Sequence, residues 1–132
     1  MLKETHFENN FDILSIDIDG NDYHIWNSLK NYNPNLIIIE FNPFIEPNID
    51  YIYDGRKFSS SFKSMIELGI KKGYTLLTMS GNLLFGRNEK LKGTKLQNLL
   101  NENPYNLFLD DAMMVNERQI GFRRFISQSY II

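Results

Sequence analysis

Two short apolar runs that each end in acids constrain this chain more than any other feature. The first reads Asp12-Ile13-Leu14-Ser15-Ile16-Asp17-Ile18-Asp19-Gly20-Asn21-Asp22-Tyr23, and the second reads Asn35-Leu36-Ile37-Ile38-Ile39-Glu40-Phe41-Asn42-Pro43. Apolar runs of this length, bounded by turn residues, read as strands buried on both faces, the kind that builds parallel sheets. In open sheets of that class, ligands sit outside the carboxyl ends of the strands, so the acids closing both runs stand where chemistry is expected. Side chains alternate along a strand with a period of two, which sets Asp17 with Asp19 and Glu40 with Asn42. Oxygen donors gathered at one rim suit a hard cation such as Mg²⁺ or Ca²⁺, a carboxylate that takes a hydroxyl proton, or hydrogen bonds to sugar hydroxyls. The same residue types also cap helices and build turns. Asn21 and Asp22, just before a helical pattern, fit that second reading best, and Asp17, still inside the run, fits it least.

Between the two runs, Tyr23, Ile25, Trp26 and Leu29 recur at helical spacing, and residues 31–34 carry the turn residues that end such a helix. The unit therefore reads strand, helical crossover, parallel strand. Residues 43–59 interleave Pro43, Pro47, Asn48, Asp50, Asp54 and Gly55 with Phe44, Tyr51, Tyr53 and Phe58. This is a long loop whose aromatics either pack over a site or anchor it to the core. Ser59-Ser60-Ser61 then offers an N-cap to a helix with the stripe Phe62, Met65, Ile66, Gly69 and Ile70, closed by Lys71, Lys72 and a C′ glycine at Gly73. Residues 74–79 and 83–87 read as strands of a hairpin with a three-residue loop, Ser80-Gly81-Asn82, and Leu96, Leu99 and Leu100 suggest a short helix.

A chain of 132 residues with a 42% hydrophobic fraction is expected to form one soluble domain, with residues 11–90 as its core and 91–132 as a C-terminal extension. A net charge of −2 gives no electrostatic reason to expect a nucleic acid or an anionic membrane as partner. With no cysteine, disulfides, thiolate zinc sites and a cysteine nucleophile are excluded, and His6 and His24 are too few and too far apart for a histidine metal site. The first residues lack the apolar core of a leader peptide, and no apolar run approaches the ~20 residues that span a bilayer. A cytoplasmic location is expected.

The order of strand with acids, helix, strand with Glu and Asn, aromatic loop, helix and hairpin resembles the C-terminal half of a class I S-adenosylmethionine-dependent methyltransferase. Within that superfamily it looks most like the FkbM-type and related sugar O-methyltransferases. The resemblance rests on Leu14-Ser15-Ile16-Asp17-Ile18-Asp19-Gly20-Asn21-Asp22-Tyr23, Ile37-Ile38-Ile39-Glu40-Phe41-Asn42, the helix from Ser61-Phe62 to Gly69, and Lys72-Gly73-Tyr74, and spans roughly residues 11–90. It implies an α/β class, a partial Rossmann-like fold with a mixed sheet of about four strands and flanking helices. The strand at 83–87 would insert antiparallel between those at 36–41 and 74–79.

By the same resemblance the reaction is methyl transfer from S-adenosylmethionine to a hydroxyl of a sugar or small-molecule acceptor. Asp17 is the candidate general base or metal ligand, with Asp19, Glu40 and Asn42 as candidate ligands of Mg²⁺ or contacts to the acceptor. In related metal-assisted enzymes two neighbouring strands end in acids that hold Mg²⁺; here Glu40 and Asn42 stand where the second strand of those enzymes pairs two acids. No glycine-rich strand-to-helix turn is present to hold the cofactor, so its binding residues stay unassigned. The chain is therefore expected to be half an enzyme, either truncated or completed by another chain. The alternative is a remnant without turnover that binds or assembles. With its outer neighbour missing, the strand at 12–18 is expected to be covered by a second copy or by residues 108–132.

Overall fold

The computed structural model describes residues 8–107. The chain divides into two compact units, Met1–Glu102 and Asn103–Ile132. In the second, the described residues open a helical turn in which Asn103 Oδ1 accepts the Tyr105 N–H at 3.0 Å.

Four strands form one open sheet: β1 (Ile13–Ile16), β2 (Leu36–Glu40), β3 (Tyr74–Ser80) and β4 (Asn82–Arg87), in the spatial order β1-β2-β4-β3. β1 and β2 run parallel, from Ile13 opposite Leu36 to Ile16 opposite Ile39. The helix α1 (Asp22–Ser28) connects them, which gives the strand, crossover, strand unit read from the sequence. β4 is antiparallel to both β2 and β3, so the sheet is mixed and the last strand is inserted where the resemblance puts it. The hairpin is tighter than expected: Ser80 and Asn82 pair with each other, and Gly81 alone forms the tip at φ 78°. The register shifts between Leu76 and Thr78, leaving Leu77 bulged.

One face of the sheet is the core. Ile37 stands opposite Phe85 and Ile39 opposite Leu83, and all four are buried. The Trp26 ring of α1 lies 5.0 Å from Phe85 and 5.8 Å from Tyr74. A second helix, α2 (Phe62–Lys72), brings Gly69 against the same Phe85 ring. Its ends follow the local signals: Ser61 Oγ accepts the Ser64 N–H at 3.3 Å, and Gly73 closes the helix in the left-handed conformation at φ 83°. Its buried stripe differs by one position from the expectation, because Ile70 is exposed and Leu68 is buried. The two flank the stripe on opposite sides, and only the Leu68 flank is packed over. On the other face, Leu77 and Leu91 close over Gly86, Leu91 coming from the one-turn helix α3 (Asn88–Leu91). The expected short helix is a 3-10 helix at Gln97–Asn101, which packs against β3.

β1 ends earlier than read from sequence. Past Ile16 the backbone turns away from β2, because the Ile18 N–H is taken by Asp22 Oδ1 at 3.0 Å rather than by a neighbouring strand. Asp17 therefore lies just beyond the strand, not inside it. The expected cover of β1 by residues 108–132 falls outside the described residues. Among the described residues no helix is long and apolar enough to cross a membrane.

Candidate active site

The turn from β1 to α1 is built around a buried acid. Asp22 is fully enclosed, and its two oxygens accept the N–H groups of Ile18 at 3.0 Å and of Gly20 at 2.9 Å. Neither Asn21 nor Asp22 caps the helix with its side chain: Asn21 occupies the N-cap position without a side-chain bond, and Asp22 reaches backward into the turn instead. That grip holds Asp19 at φ 56°, a left-handed conformation, and Gly20 at φ 150°. Over the turn lies Tyr53 from the long loop, whose ring leaves no room for a side chain at position 20. The Tyr53 carbonyl accepts the His24 Nε2–H at 2.8 Å, and its N–H is held by Ser60 Oγ at 2.8 Å.

This turn brings Asp17, Asp19 and Glu40 together. One carboxylate oxygen of each lies within 4.8 Å of the others, with the two aspartates exposed and Glu40 buried. The convergence expected from strand alternation is present, but for Asp17 and Asp19 it is produced by the turn rather than by a strand. Glu40 ends β2 at 9% exposure, and its Oε2 is buried with no hydrogen-bond partner. Burial, and then the negative charges of Asp17, Asp22 and Asp19, push its carboxyl up to about 7, opposed by the hydrogen bond from the Asp19 backbone. Asp17 Oδ2 accepts Asn82 Nδ2 at 3.3 Å. Asn82 opens β4 directly opposite Glu40 in the ladder, so three elements meet at this rim.

Asn42 has another task. Its Oδ1 accepts the Phe44 N–H at 2.9 Å, its Nδ2 donates to the Phe58 carbonyl, and its backbone N–H bonds to Ser60 O at 2.8 Å. Both ends of the amide are thus engaged in closing the loop that leaves β2 and returns to α2. At the base of the loop, Ser61 Oγ accepts the Tyr51 N–H at 3.0 Å and Ser64 Oγ donates to Asp50 Oδ1 at 2.6 Å. Phe41 packs edge to face on Phe62, with ring centres 5.9 Å apart. The loop's own apolar residues are largely outside this anchor: Phe44, Ile49, Ile52 and Phe58 are exposed.

The site thus joins a strand, a helical crossover and a parallel strand, with acids at both strand ends and the Asn82 amide against Asp17. A family model described as the methyltransferase FkbM domain matches residues 1–76, more than half of the chain. The chain belongs to the FkbM methyltransferase family. The match takes in β1, α1, β2, the loop and α2, and so all three acids of the cluster, whereas Asn82 lies beyond it. No curated protein and no solved structure matches the chain. Membership of the FkbM family assigns methyltransferase chemistry in general, with S-adenosylmethionine as the family's methyl donor.

Against that chemistry the residues divide. The acids suit an acceptor or a hard cation. The β1–α1 turn has a single glycine, and the Tyr53 ring fills the space beside it, so this turn is not a cradle for the methyl donor. Asn82 and Asp22 are the site residues that sequence reasoning did not assign, whereas Tyr53 is one of the loop aromatics read as packing over a site or anchoring the loop. For Asn82 a signal existed, since an antiparallel strand starting there and laid beside β2 faces Glu40.

Proposed function

We propose that the chain carries the acceptor side of an O-methyl transfer, in which the rim formed by Asp17, Asp19 and Glu40 receives a hydroxyl of a sugar or another small molecule. The observation that supports this is the convergence of three carboxylates at the strand ends of a chain from a methyltransferase family. S-adenosylmethionine supplies an electrophilic methyl carbon when bound. The chain's own contribution is to orient the hydroxyl and take its proton, freeing the oxygen's electron pair for bond formation. Asp17 is the group for that task. It is exposed, one of its oxygens is oriented by Asn82, and among the described residues its other oxygen carries no hydrogen bond. Glu40 is too enclosed to meet an acceptor directly.

The same three carboxylates fit Mg²⁺, a hard cation that takes oxygen ligands, and Glu40 Oε2 is a buried oxygen that such an ion would satisfy. Held there, the ion would offset the crowded negative charge and make a coordinated hydroxyl more acidic. Asn42 is left out of this set because the loop uses its amide. A second reading, a binding or assembly module without turnover, is favoured by one observation: among the described residues nothing pairs with the outer edge of β1. That edge is offered to a second copy of the chain, or to a partner chain supplying the donor's cradle.

The test is transfer of labelled methyl groups from S-adenosylmethionine to a set of sugar and small-molecule hydroxyl acceptors, with and without Mg²⁺. Asp17→Asn is expected to lower the rate by roughly 10²–10⁴-fold, the usual contribution of a general base, with little change in stability. An unchanged rate removes Asp17 as the base. Absence of transfer by the unaltered chain under all these conditions favours the assembly module.

A further inference from the structure

The end of the sheet opposite the acids holds a cleft of about 430 Å³, lined by Lys72 and Arg87 together with Asn10, Asn33, Asn88 and Glu89. Arg87 pairs with Tyr74 at that end of the ladder, whereas Asn82 and Glu40 mark the other. The walls come from four separate places: the segment before β1, the α1–β2 connection, the last turn of α2 and the junction of β4 with α3.

The hydrogen bonds that build this cleft consume oxygens and leave donors. Arg87 Nη1 donates to Asn10 Oδ1 at 3.2 Å and to the Asn33 carbonyl at 3.0 Å, and Nη2 donates to Asn35 Oδ1 at 3.1 Å. Thr75 Oγ1 donates to Asn88 Oδ1 at 2.7 Å. The amide oxygens of Asn10 and Asn88 are therefore occupied, and among the described residues their NH₂ groups are not. Among the described residues, Lys72 Nζ gives one hydrogen to the Leu29 carbonyl at 2.9 Å and keeps two, and Arg87 keeps one on Nη2. Arg87 Nε is buried without a partner.

Charge points the same way. Among the described residues the ion pairs are Arg56 with Asp54 and Lys63 with Glu67, so neither Lys72 nor Arg87 has an acid partner. Burial, and then the positive charges of Lys71 and Lys30, hold the Lys72 ammonium below the ordinary lysine range. Glu89 is the one carboxylate on the wall, set against two cations.

We propose that this cleft binds the phosphate group of a small molecule, held by Lys72 Nζ, the free Nη2 hydrogen of Arg87 and the amide NH₂ groups of Asn88 and Asn10. A phosphate presents several acceptor oxygens and close to two negative charges, which matches two cations and a surplus of donors; a carboxylate offers two oxygens and one charge. The volume leaves space for an organic remainder. This binding site is independent of the methyl-transfer reading, so failure of one leaves the other standing.

The experiment is a titration of the full chain with inorganic phosphate, against sodium chloride and sodium acetate at matched ionic strength, followed through backbone amide shifts. Saturable shifts at residues 72–73 and 87–89 are expected with phosphate and not with chloride. Acetate is expected to bind about tenfold or more weakly, because one charge and one or two charge-assisted hydrogen bonds are missing. Lys72→Met, which keeps the aliphatic stem, is expected to weaken phosphate binding by about tenfold, the value of one charged hydrogen bond. Glu89→Gln removes the opposing charge from the wall and is expected to tighten it, which keeps the test open should Lys72→Met fail to fold. No saturation over chloride, equal binding of acetate, undiminished binding in folded Lys72→Met, or no tightening in Glu89→Gln would each overturn the proposal.

Discussion

At Gly20 two constraints act on one residue. Its φ of 150° disfavours any side chain, and an added Cβ would come within 2.6 Å of Tyr53 Cζ. The Tyr53 backbone is tied to Ser60 and His24 on either side, so the ring can yield only by turning about its own side-chain bonds. Gly20→Ala is therefore expected to destabilise the chain by about 1–3 kcal/mol, as backbone strain and overpacking do, and to speed amide exchange through residues 51–61. Urea unfolding and hydrogen exchange measure both, and unchanged exchange would show that the ring swings aside freely. The acids themselves were legible, because Asp17, Asp19 and Glu40 announce themselves by residue type at the ends of apolar runs. Their supports were not. Tyr53 meets the turn across 29 residues from His24, and Asn82 meets Asp17 across 65. No local pattern encodes a partnership that only the completed sheet creates.

Among the elements, α2 shows how a helix can be tightened against a sheet at the expense of its own propensity. Gly69 lies mid-helix, where alanine would ordinarily gain about 1 kcal/mol. An added Cβ would stand 2.6 Å from Phe85 Cε1, and that ring is itself wedged against Trp26. Overpacking costs typically about 1–3 kcal/mol, so Gly69→Ala is expected to come out destabilising by about 1 kcal/mol in thermal or urea unfolding. A stabilised variant would mean that the Phe85 ring can shift. This helix was readable from sequence because its cap, stripe and C′ glycine are all local. The end of β1 was not, since Asp22 takes the N–H that would have continued the strand. Asn42 looked like a ligand for the same kind of reason: its position two residues past Glu40 is visible, but its bonds to Phe44 and Phe58 depend on a loop closing 16 residues later.

For the chain as a whole, two properties follow from how the sheet and its charges are disposed. Among the described residues β1 is an outer strand, and Ile13 on it is 56% exposed. An apolar strand edge without a partner invites another chain, so sedimentation at micromolar concentration is expected to show a dimer, and Ile13→Lys is expected to give a monomer of nearly unchanged stability. A monomeric unaltered chain would contradict this. The second property is the pH dependence of folding set by Glu40, whose carboxyl moves from 4.5 to about 7 in the fold. A raised value means that the folded chain holds this proton more tightly than the unfolded one. The contribution is therefore fully present below the ordinary value and is lost as pH rises through about 7. A shift of that size corresponds to a cost on the order of 3 kcal/mol at most once Glu40 is ionised. The raised carboxyl beside two more carboxylates supports the proposal that this rim is the working site. The decisive measurement is urea unfolding of the unaltered chain and Glu40→Gln, in the presence of a chelator, near pH 5 and near pH 8. Glutamine keeps the neutral form's shape without titrating, so the variant is expected to be more stable by about 1–3 kcal/mol near pH 8 and nearly equal near pH 5. A variant less stable near pH 8, or a difference that does not change with pH, would contradict the site.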